Sequence, residues 1–510
     1  MSRKFVATLA ALAASASVVG TVAMPAAAYA ETSGIDPAAV ERYVTEYAER
    51  AAYPGVAIAI TSGDKVLLTA GYGHDPSGAA ITATTPMPVA SVSKSFTALA
   101  VLQLVEAKKV ALDAPVRDYL PEFRIADPRG ERITVRQLLN QTSGLTDGTH
   151  PEKSLPQPDS LAGAVSRART ARLAVDPGTK HYYTNTNYHI AARLVEVVAG
   201  EPFGDYLRRH VLEPAGMRAS VTVDRAPGDL PANLEKGHVY AYGASIPTRE
   251  PNRFVNGSDG LITTAEDMAR WLIVHANGGR SATGEQLVTA ESVRTMHTSS
   301  DPRWTYGLGW DTEAGGRVRH SGIWFTHTAG QLLLPSGHGI AVMTNSGIGL
   351  GNEGTNELVN GLATIVQGGT PSAGAPIRLM IDVVLGGLTL LSLALGIRTL
   401  RRVPVWARRL ADRPVWRSAL RLLPRFVPFA FLIAMPTLLG LLFAGGRDLT
   451  HFQLLHYSVA LTVWLVVASL MGVSVTAARA AAVVRLRRAQ VGRVDCDVDR
   501  IEEHRATART

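Results

Sequence analysis

Cysteine is almost absent from this chain, since its 510 residues include only Cys496, near the C-terminal end. Thiolate catalysis and metal sites built from cysteine are therefore excluded from the whole region before it. No disulfide can form within the chain, so a hydrophobic core must stabilise it, and a chain of this length can build one.

Signatures of several common enzyme classes are also missing. The sequence contains no His-Glu-x-x-His motif, no Walker loop and no Rossmann fingerprint, so neither a metal nor a nucleotide cofactor is expected. The Gly-x-Ser-x-Gly esterase signature fails because the nearest candidate, NGSDG at residues 256–260, begins with asparagine.

The long middle region lacks an excess of basic residues. Residues 31–377 contain 30 lysines and arginines against 35 acidic residues, whereas residues 378–510 contain 19 arginines against 8 acidic residues. The formal net charge of +8 therefore belongs to the C-terminal part. No nucleic-acid partner is expected for the middle region.

The N-terminus has the order of a secretory signal peptide. Arg3 and Lys4 precede an apolar stretch, which runs to about Met24 and is followed by the small-residue sequence AAAYA, ending at Ala30. This pattern predicts a signal peptide over residues 1–30, removed by cleavage after Ala30. A buried N-terminal helix is the alternative, and the small-residue end disfavours it.

Three apolar segments follow the middle region, at residues 379–397, 426–444 and 455–478. Each is close to the ~20 residues that a helix needs to cross the hydrocarbon of a bilayer. Residues 368–378, rich in glycine, proline and serine, are expected to form a flexible linker before the first segment.

The distribution of arginine predicts the orientation of these segments. Residues 398–425 contain nine arginines, whereas the next loop contains only Arg447, beside Asp448. Positive loops stay in the cytoplasm, so residues 398–425 and the tail 479–510 are expected inside. Residues 31–367 are then expected outside, and the chain is predicted to be a multi-pass protein of the cytoplasmic membrane with the lipid bilayer as a partner.

The region outside the membrane has the pattern of an α+β fold. Residues 36–52 predict a helix, residues 55–73 a two-stranded hairpin, and residues 91–215 are mainly helical. Apolar and polar residues alternate over residues 317–346, as in consecutive antiparallel strands, and residues 356–367 predict a helix at the end of this region. Strands at both ends predict one antiparallel sheet flanked by helices, with a helical insertion.

A Ser-x-x-Lys sequence, Ser91 to Lys94, lies where a loop turns into an apolar helix. Free backbone N–H groups at a helix N-terminus can hold an oxyanion, and a lysine one turn on shares a face with the serine. Burial favours the neutral lysine, which can accept the serine proton. Two polar residues that merely begin a helix are the alternative, since a second Ser-x-x-Lys, residues 62–65, reads as a hairpin tip.

Two further clusters carry polar groups that suit a catalytic site. Tyr183 and Asn185 come just before another predicted helix, and His320, Ser321 and Gly322 lie in a strand pattern. A tyrosine near a lysine can share proton transfer, and glycine in a strand lets another backbone approach closely. Taken singly, each cluster is also explained as a helix cap or an ordinary strand.

Together the three clusters resemble the motifs of the serine β-lactamase and penicillin-binding protein superfamily, here SVSK, YTN and HSG in that order. The tyrosine in the second motif resembles the class C β-lactamase branch. Further segments resemble that branch too, and the resemblance covers about residues 36–367. These segments are residues 133–147, 176–188, 259–272 and 306–310 and the final MTNS, residues 343–346. The resemblance implies an antiparallel sheet flanked by helices, with an all-helical subdomain.

The resemblance also implies roles for the first two motifs. Ser91 would be the acylated nucleophile, and its backbone N–H would form half of an oxyanion hole. Lys94 and Tyr183 would act as general bases and acids. Asn185 would be a polar positioner, which can orient the lysine or bind a carbonyl group of the substrate. No metal takes part in this chemistry.

The third motif departs from the more usual pattern of the superfamily. His320 would replace a lysine and bind or orient the polar end of the substrate, with Ser321 and Gly322 beside it. The backbone N–H of Ile323 would complete the oxyanion hole. Ile323 and Trp324 are bulkier than the usual small residue, which argues against a roomy pocket for β-lactams.

The membrane tail narrows the choice of hydrolase. An exported domain of this type with three membrane helices resembles the membrane-bound D-asparaginyl peptidases that activate nonribosomal-peptide prodrugs, a group that includes the colibactin-maturing enzyme. This resemblance implies cleavage of an acylated D-amino-acid peptide. Alternatives are a D-alanyl-D-alanine carboxypeptidase or β-lactamase, an esterase or transacylase, and a non-catalytic penicillin-recognising sensor.

Overall fold

The computed structural model covers most of the chain. It describes residues 34–507, apart from residues 235, 352–353, 411–412 and 444–445. The predicted signal peptide, residues 1–30, lies outside the described residues.

The centre of the fold is a six-stranded antiparallel sheet of strand order β10-β11-β12-β13-β1-β2. The strands are β1 (Gly55–Ser62), β2 (Lys65–Gly73), β3 (Met87–Pro88), β4 (Val221–Thr222), β5 (Arg225–Ala226), β6 (Lys236–Ala241), β7 (Ala244–Arg249), β8 (Arg253–Phe254), β9 (Leu261–Thr263), β10 (Asp311–Thr312), β11 (Val318–Ile323), β12 (Thr328–Leu333) and β13 (His338–Thr344). The first strand pairs with the last, so both ends of this region meet in the sheet, and the predicted hairpin 55–73 is confirmed as β1 and β2.

Helices cover both faces of the sheet and fill the long insertion within it. They are α1 (Pro37–Ala51), α2 (Ser93–Glu106), α3 (Val135–Leu139), α4 (Leu161–Arg167), α5 (Asn185–Ala199), α6 (Phe203–Leu207), α7 (Glu213–Ala215), α8 (Ala265–Ala276), α9 (Ala290–His297) and α10 (Asn356–Val366). The predicted α+β class, with an antiparallel sheet flanked by helices and a helical subdomain, is confirmed.

Strand β1 shows why the sheet is covered on both sides. Successive side chains of a strand point to opposite faces. Ile58 and Ile60 lie in a cluster with residues of α1 and α10, whereas Ala57 and Ala59 lie in a cluster with residues of α2 and α8. All four side chains are fully buried. Small residues on the second face let α8 pack close to the sheet.

The C-terminal part is helical and carries three long apolar segments. Its helices are α11 (Ile377–Arg401), α12 (Val403–Leu410), α13 (Val415–Leu422), α14 (Val427–Phe443), α15 (His451–Tyr457) and α16 (Val459–Thr507). Three segments are long and apolar enough to cross a membrane, at Ile377–Arg401, Ala419–Leu442 and Val459–Ala489.

These segments overlap the three predicted spans, but their limits differ. The first helix begins at Ile377, inside the predicted linker. The third begins at Val459 rather than at residue 455, because extended backbone at Ser458 separates it from α15. Much of the predicted basic loop, residues 398–425, is helical.

We predict that Trp271 is one of the residues on which the stability of the core depends. Its ring is fully buried and stacks on Phe96, with ring centroids 3.7 Å apart. Replacing it, as Trp271→Ala, should lower the free energy of unfolding by about 3–5 kcal/mol because a large cavity remains. The check is thermal unfolding of the full chain in detergent. Trp416→Ala, at a side chain that is 58% exposed, should stay within about 0.5 kcal/mol, and equal effects of the two would contradict the prediction.

Candidate active site

Ser91 lies in a tight turn, Ala90–Val92, that directly precedes α2. Ala90 has φ of +49°, a left-handed conformation that costs energy in a residue with a side chain. The turn packs against β11, where a Cβ added to Gly322 would lie 2.0 Å from the carbonyl oxygen of Val89. Gly322 thus allows the close approach of the protein's own backbone. Its expected contact with substrate stays a prediction.

Lys94 is fully buried and reaches the serine as expected. Its Nζ lies 2.9 Å from Ser91 Oγ, 2.9 Å from Asn185 Oδ1 and 3.0 Å from the carbonyl oxygen of Ser258. The amide oxygen and the carbonyl can only accept hydrogen bonds, so two N–H groups of the lysine are committed to them. Its third N–H group points toward Ser91 and toward Asp259 Oδ1, which lies 3.3 Å from Nζ.

Asp259 is a member of this centre to which the sequence analysis gave no role. Its Oδ1 accepts a hydrogen bond from Ser91 Oγ at 2.6 Å, and its Oδ2 accepts from Asn185 Nδ2 at 2.8 Å. Burial alone would raise the pKa of this carboxyl, but the charges of Lys94 and Arg253 outweigh burial and hold its pKa well below the ordinary value. The available signal in the sequence was that Asp259 lies in NGSDG, the segment rejected as an esterase motif, two residues before β9.

Tyr183 lies beside the lysine at the start of α5. Lys94 Nζ is 4.9 Å from the centroid of its ring, and the ring of His320 is 6.2 Å away. The structure therefore brings Ser91, Lys94, Tyr183 and Asn185 together. Proton transfer by the tyrosine stays a prediction, since the contact described is with its ring face.

His320 is buried, and both of its ring nitrogens already have partners. Nδ1 must donate to the carbonyl oxygen of Ser321, at 2.7 Å, because that oxygen can only accept. Nε2 then accepts from Tyr306 Oη at 2.9 Å. The expected bond from His320 to the polar end of a substrate would need one of these interactions to be given up.

Six of the eight predicted site residues line one cavity of about 390 Å³, and Lys94 and Gly322 are not part of its lining. Ser91, Tyr183, Asn185, His320, Ser321 and Ile323 line it. Ile323 is 41% exposed, so the bulky side chain expected at this strand edge stands at the cavity. Its backbone role in an oxyanion hole stays a prediction.

The walls of the cavity are completed by Trp324, the bulky residue noted in the sequence at this strand edge, and by residues with no predicted role in the site. Trp324 and Phe325 add aromatic surface from the turn after β11, and Arg447, Leu449 and Tyr457 come from the segment between α14 and α16. Within the described part of the chain, no group of three or more histidine, cysteine or acidic side chains forms a metal site.

Burial lowers the pKa of several histidines around this core. The pKa falls to about 4 in His189 and His297 and to about 3 in His320 and His327. In His320 the charge of Lys94 adds to the effect of burial. These histidines take up a proton near pH ~6.5 in the unfolded chain but only at lower pH in the folded chain. Their contribution to the free energy of unfolding is therefore fully present above pH ~6.5, and it is lost as the pH falls toward the pKa values of the folded chain.

We therefore predict that acid destabilises the fold well before most carboxylates titrate. Each such histidine should remove ~1.4 kcal/mol per pH unit below pH ~6.5. Calorimetric unfolding of the full chain between about pH 7.5 and about pH 5 measures this slope. The variant His327→Asn should have a slope smaller by about one proton. A midpoint that does not change over this range would contradict the prediction.

Comparison with known proteins agrees with the fold and the motifs. The Beta-lactamase family model matches residues 40–363. The chain is 30% identical over 317 residues to penicillin-binding protein 4 of Amycolatopsis lactamdurans, covering 58% of this chain and 81% of that protein. It is 28% identical to protein flp of Staphylococcus aureus strain MW2, covering 61% of this chain and 62% of that protein.

A solved structure shows the same fold. The octameric penicillin-binding protein homologue from Pyrococcus abyssi has a TM-score of 0.57 at 24% identity, over 69% of this chain and 82% of that one. The family match extends over more than half of the chain and contains all three motifs. This chain belongs to the Beta-lactamase family and is a serine hydrolase of the β-lactamase and penicillin-binding protein type.

Proposed function

We propose that the chain is a membrane-anchored, extracytoplasmic serine hydrolase that cleaves an acylated D-amino-acid peptide through an acyl-enzyme on Ser91. The observation that carries this proposal is the composition of the cavity. Ser91 shares it with Leu449 and Tyr457, which lie between two segments able to cross a membrane. An amphiphilic substrate held at the bilayer surface would thus meet the nucleophile directly.

The geometry supports Lys94, rather than Asp259, as the acceptor of the Ser91 proton. Asp259 is nearer to the serine oxygen, but a carboxyl whose pKa lies far below the working pH is a weak base. Asp259 instead contacts Lys94, whose Nζ lies 3.3 Å from its Oδ1. Deprotonated Lys94 would accept the proton as Ser91 Oγ attacks the scissile carbonyl.

The remaining steps follow from the same groups. The oxyanion would be held by the backbone N–H groups of Ser91 and Ile323. Protonated Lys94 or Tyr183 would give a proton to the departing amine, which leaves Ser91 acylated. Water would then attack the ester, with the same groups accepting and returning its proton.

A second candidate is a D-alanyl-D-alanine carboxypeptidase or a β-lactamase. It is favoured by the 30% identity to a protein named penicillin-binding protein 4. The bulky Ile323 and the internally bonded His320 fit this candidate less well.

Mass spectrometry with three candidate substrates tests which bond the chain cleaves. The full chain in detergent is incubated separately with an N-acyl-D-asparaginyl peptide, a D-Ala-D-Ala peptide and a penicillin, and is followed by intact-mass spectrometry. The proposal expects cleavage of the first peptide, reduced at least ~10³-fold in Ser91→Ala because the nucleophile is lost. A penicillin adduct with release of D-alanine would favour the second candidate. No Ser91-dependent reaction with any of the three would contradict both.

Replacing Asp259 separates its role from that of Lys94. The variant Asp259→Asn keeps an oxygen acceptor for Ser91 but removes the carboxylate that could act as a base. If Lys94 is the base, kcat/KM should fall by less than about tenfold. If Asp259 were the general base, activity would instead fall by ~10²–10⁴-fold at every pH.

A further inference from the structure

A loop between two apolar helices reaches into the active site. Arg447 follows α14 and precedes α15, and its Nε donates to Asp147 Oδ2 at 2.8 Å while Nη2 lies 3.4 Å from Glu152 Oε1. Its guanidinium carbon is 5.1 Å from the centroid of the Tyr183 ring. The membrane part of the chain thus supplies a cation next to a predicted catalytic residue.

Neighbouring contacts hold the loop in this place. The backbone N–H of Asp448 donates to Asp147 Oδ2 at 3.0 Å. The carboxylate of Asp448 accepts from the backbone N–H of Ser154 at 2.6 Å and from its hydroxyl at 2.8 Å. Lys153 Nζ donates to the carbonyl oxygen of Asp448 at 3.0 Å. Side-chain and backbone atoms of both the loop and the hydrolase domain therefore hold the loop in this position.

Hydrogen bonds connect Arg447 to the catalytic lysine. Glu152 Oε1, beside Arg447, accepts from Asn185 Nδ2 at 3.1 Å. Asn185 Oδ1 in turn accepts from Lys94 Nζ at 2.9 Å. Because the amide nitrogen of Asn185 faces carboxylates, its oxygen must face Lys94.

Charge balance explains why an arginine is needed there. The side chains of Asp147 and Glu152 are 0% and 3% exposed, and Lys153 lies 3.6 Å and 3.8 Å from them. Without Arg447, two buried carboxylates would share one lysine, and an uncompensated buried charge is strongly unfavourable. Burial would raise the pKa of Asp147, but the charges of Arg447 and Lys153 keep its pKa below the ordinary value.

We propose that Arg447 is a positioning residue of the active site. By neutralising Asp147 and Glu152 it fixes Asn185, and through Asn185 it holds Lys94 against Ser91. The hydrolase domain is then incomplete without the loop from the membrane part, so the helices do more than anchor it. This inference rests on the proposed acyl-enzyme chemistry at Ser91.

The test compares variants of the full chain in lipid nanodiscs, with p-nitrophenyl acetate as the probe. Its acyl part is only an acetyl group, so a change in kcat at unchanged KM reports positioning of the catalytic groups rather than substrate binding. Arg447→Gln should lower kcat by about 10–100-fold with KM changed by less than about threefold, because misplaced catalytic groups act on kcat. Arg447→Lys should recover part of the loss. Arg421→Gln, at an exposed arginine of the same part of the chain, is the matched control and should change neither constant.

Charge compensation provides the second measurement. Adding Asp147→Asn to Arg447→Gln leaves Glu152 and Lys153 as a neutral pair, so kcat should rise at least about tenfold over the single variant. Circular dichroism and the thermal midpoint report folding of each variant. If Arg447→Gln does not fold, kcat is compared between the unmodified chain, Arg447→Lys and the double variant.

Three results would overturn the proposal: an unchanged kcat in folded Arg447→Gln, a change confined to KM, or a folded double variant no more active than the single one. Failure of the proposed function looks different. In that case the unmodified chain itself would show no hydrolysis of the ester beyond that of Ser91→Ala.

Discussion

The buried ion pair between Lys94 and Asp259 is the interaction on which the rest of the site depends. The two charged atoms lie 3.3 Å apart, and their side chains are 0% and 2% exposed. Charges taken this far from water are tolerated only when they are paired and hydrogen-bonded. Helix α2 presents Lys94, the turn before it presents Ser91, α5 presents Asn185, and the turn before β9 presents Asp259. The fold therefore holds three distant segments in register around one lysine.

Buried charges are also paired in the residues that lie between this ion pair and the apolar helices. Asp259 also accepts from Arg253, which pairs with Glu250, and Glu250 accepts from the backbone N–H groups of Phe325 and Thr326. This arrangement fixes the turn that carries the aromatic wall of the cavity. The network contains equal numbers of opposite charges. They are the cations Lys94, Lys153, Arg253 and Arg447 and the carboxylates Asp147, Glu152, Glu250 and Asp259.

Other contacts place the hydrolase domain directly against the apolar helices. Asp382 of α11 accepts from the backbone N–H of Tyr242, in the turn between β6 and β7, at 2.7 Å. His456 Nε2 lies 3.2 Å from the carbonyl oxygen of Arg249, at the end of the same hairpin. The mouth of the active site and the docked hairpin thus face the same set of helices, which suits a substrate that stays at a lipid surface.

Local sequence patterns predicted the features that depend on residues close together in the chain. The alternation of β1 and β2 and the helix after Ser91 could be seen in the sequence, because period and turn residues determine them. The three motif positions were found by their resemblance to a known superfamily. Asp259 could not be assigned, since its partners are 74 and 168 residues away in the sequence. Arg447 and Asp147 are separated by 300 residues, so neither side chain carries a local sign of the contact. The engagement of Nε2 of His320 likewise depends on Tyr306, which lies outside β11.

The most direct test of this account is a cryo-electron microscopy structure of the full chain in a lipid nanodisc, with Ser91 trapped as a covalent acyl or phosphonyl adduct. The account predicts Arg447 hydrogen-bonded to Asp147, with Leu449 and Tyr457 lining the cavity that holds the adduct. A trapped structure in which the 446–450 loop lies away from this cavity would contradict the claim that the hydrolase domain and the membrane helices form one active site.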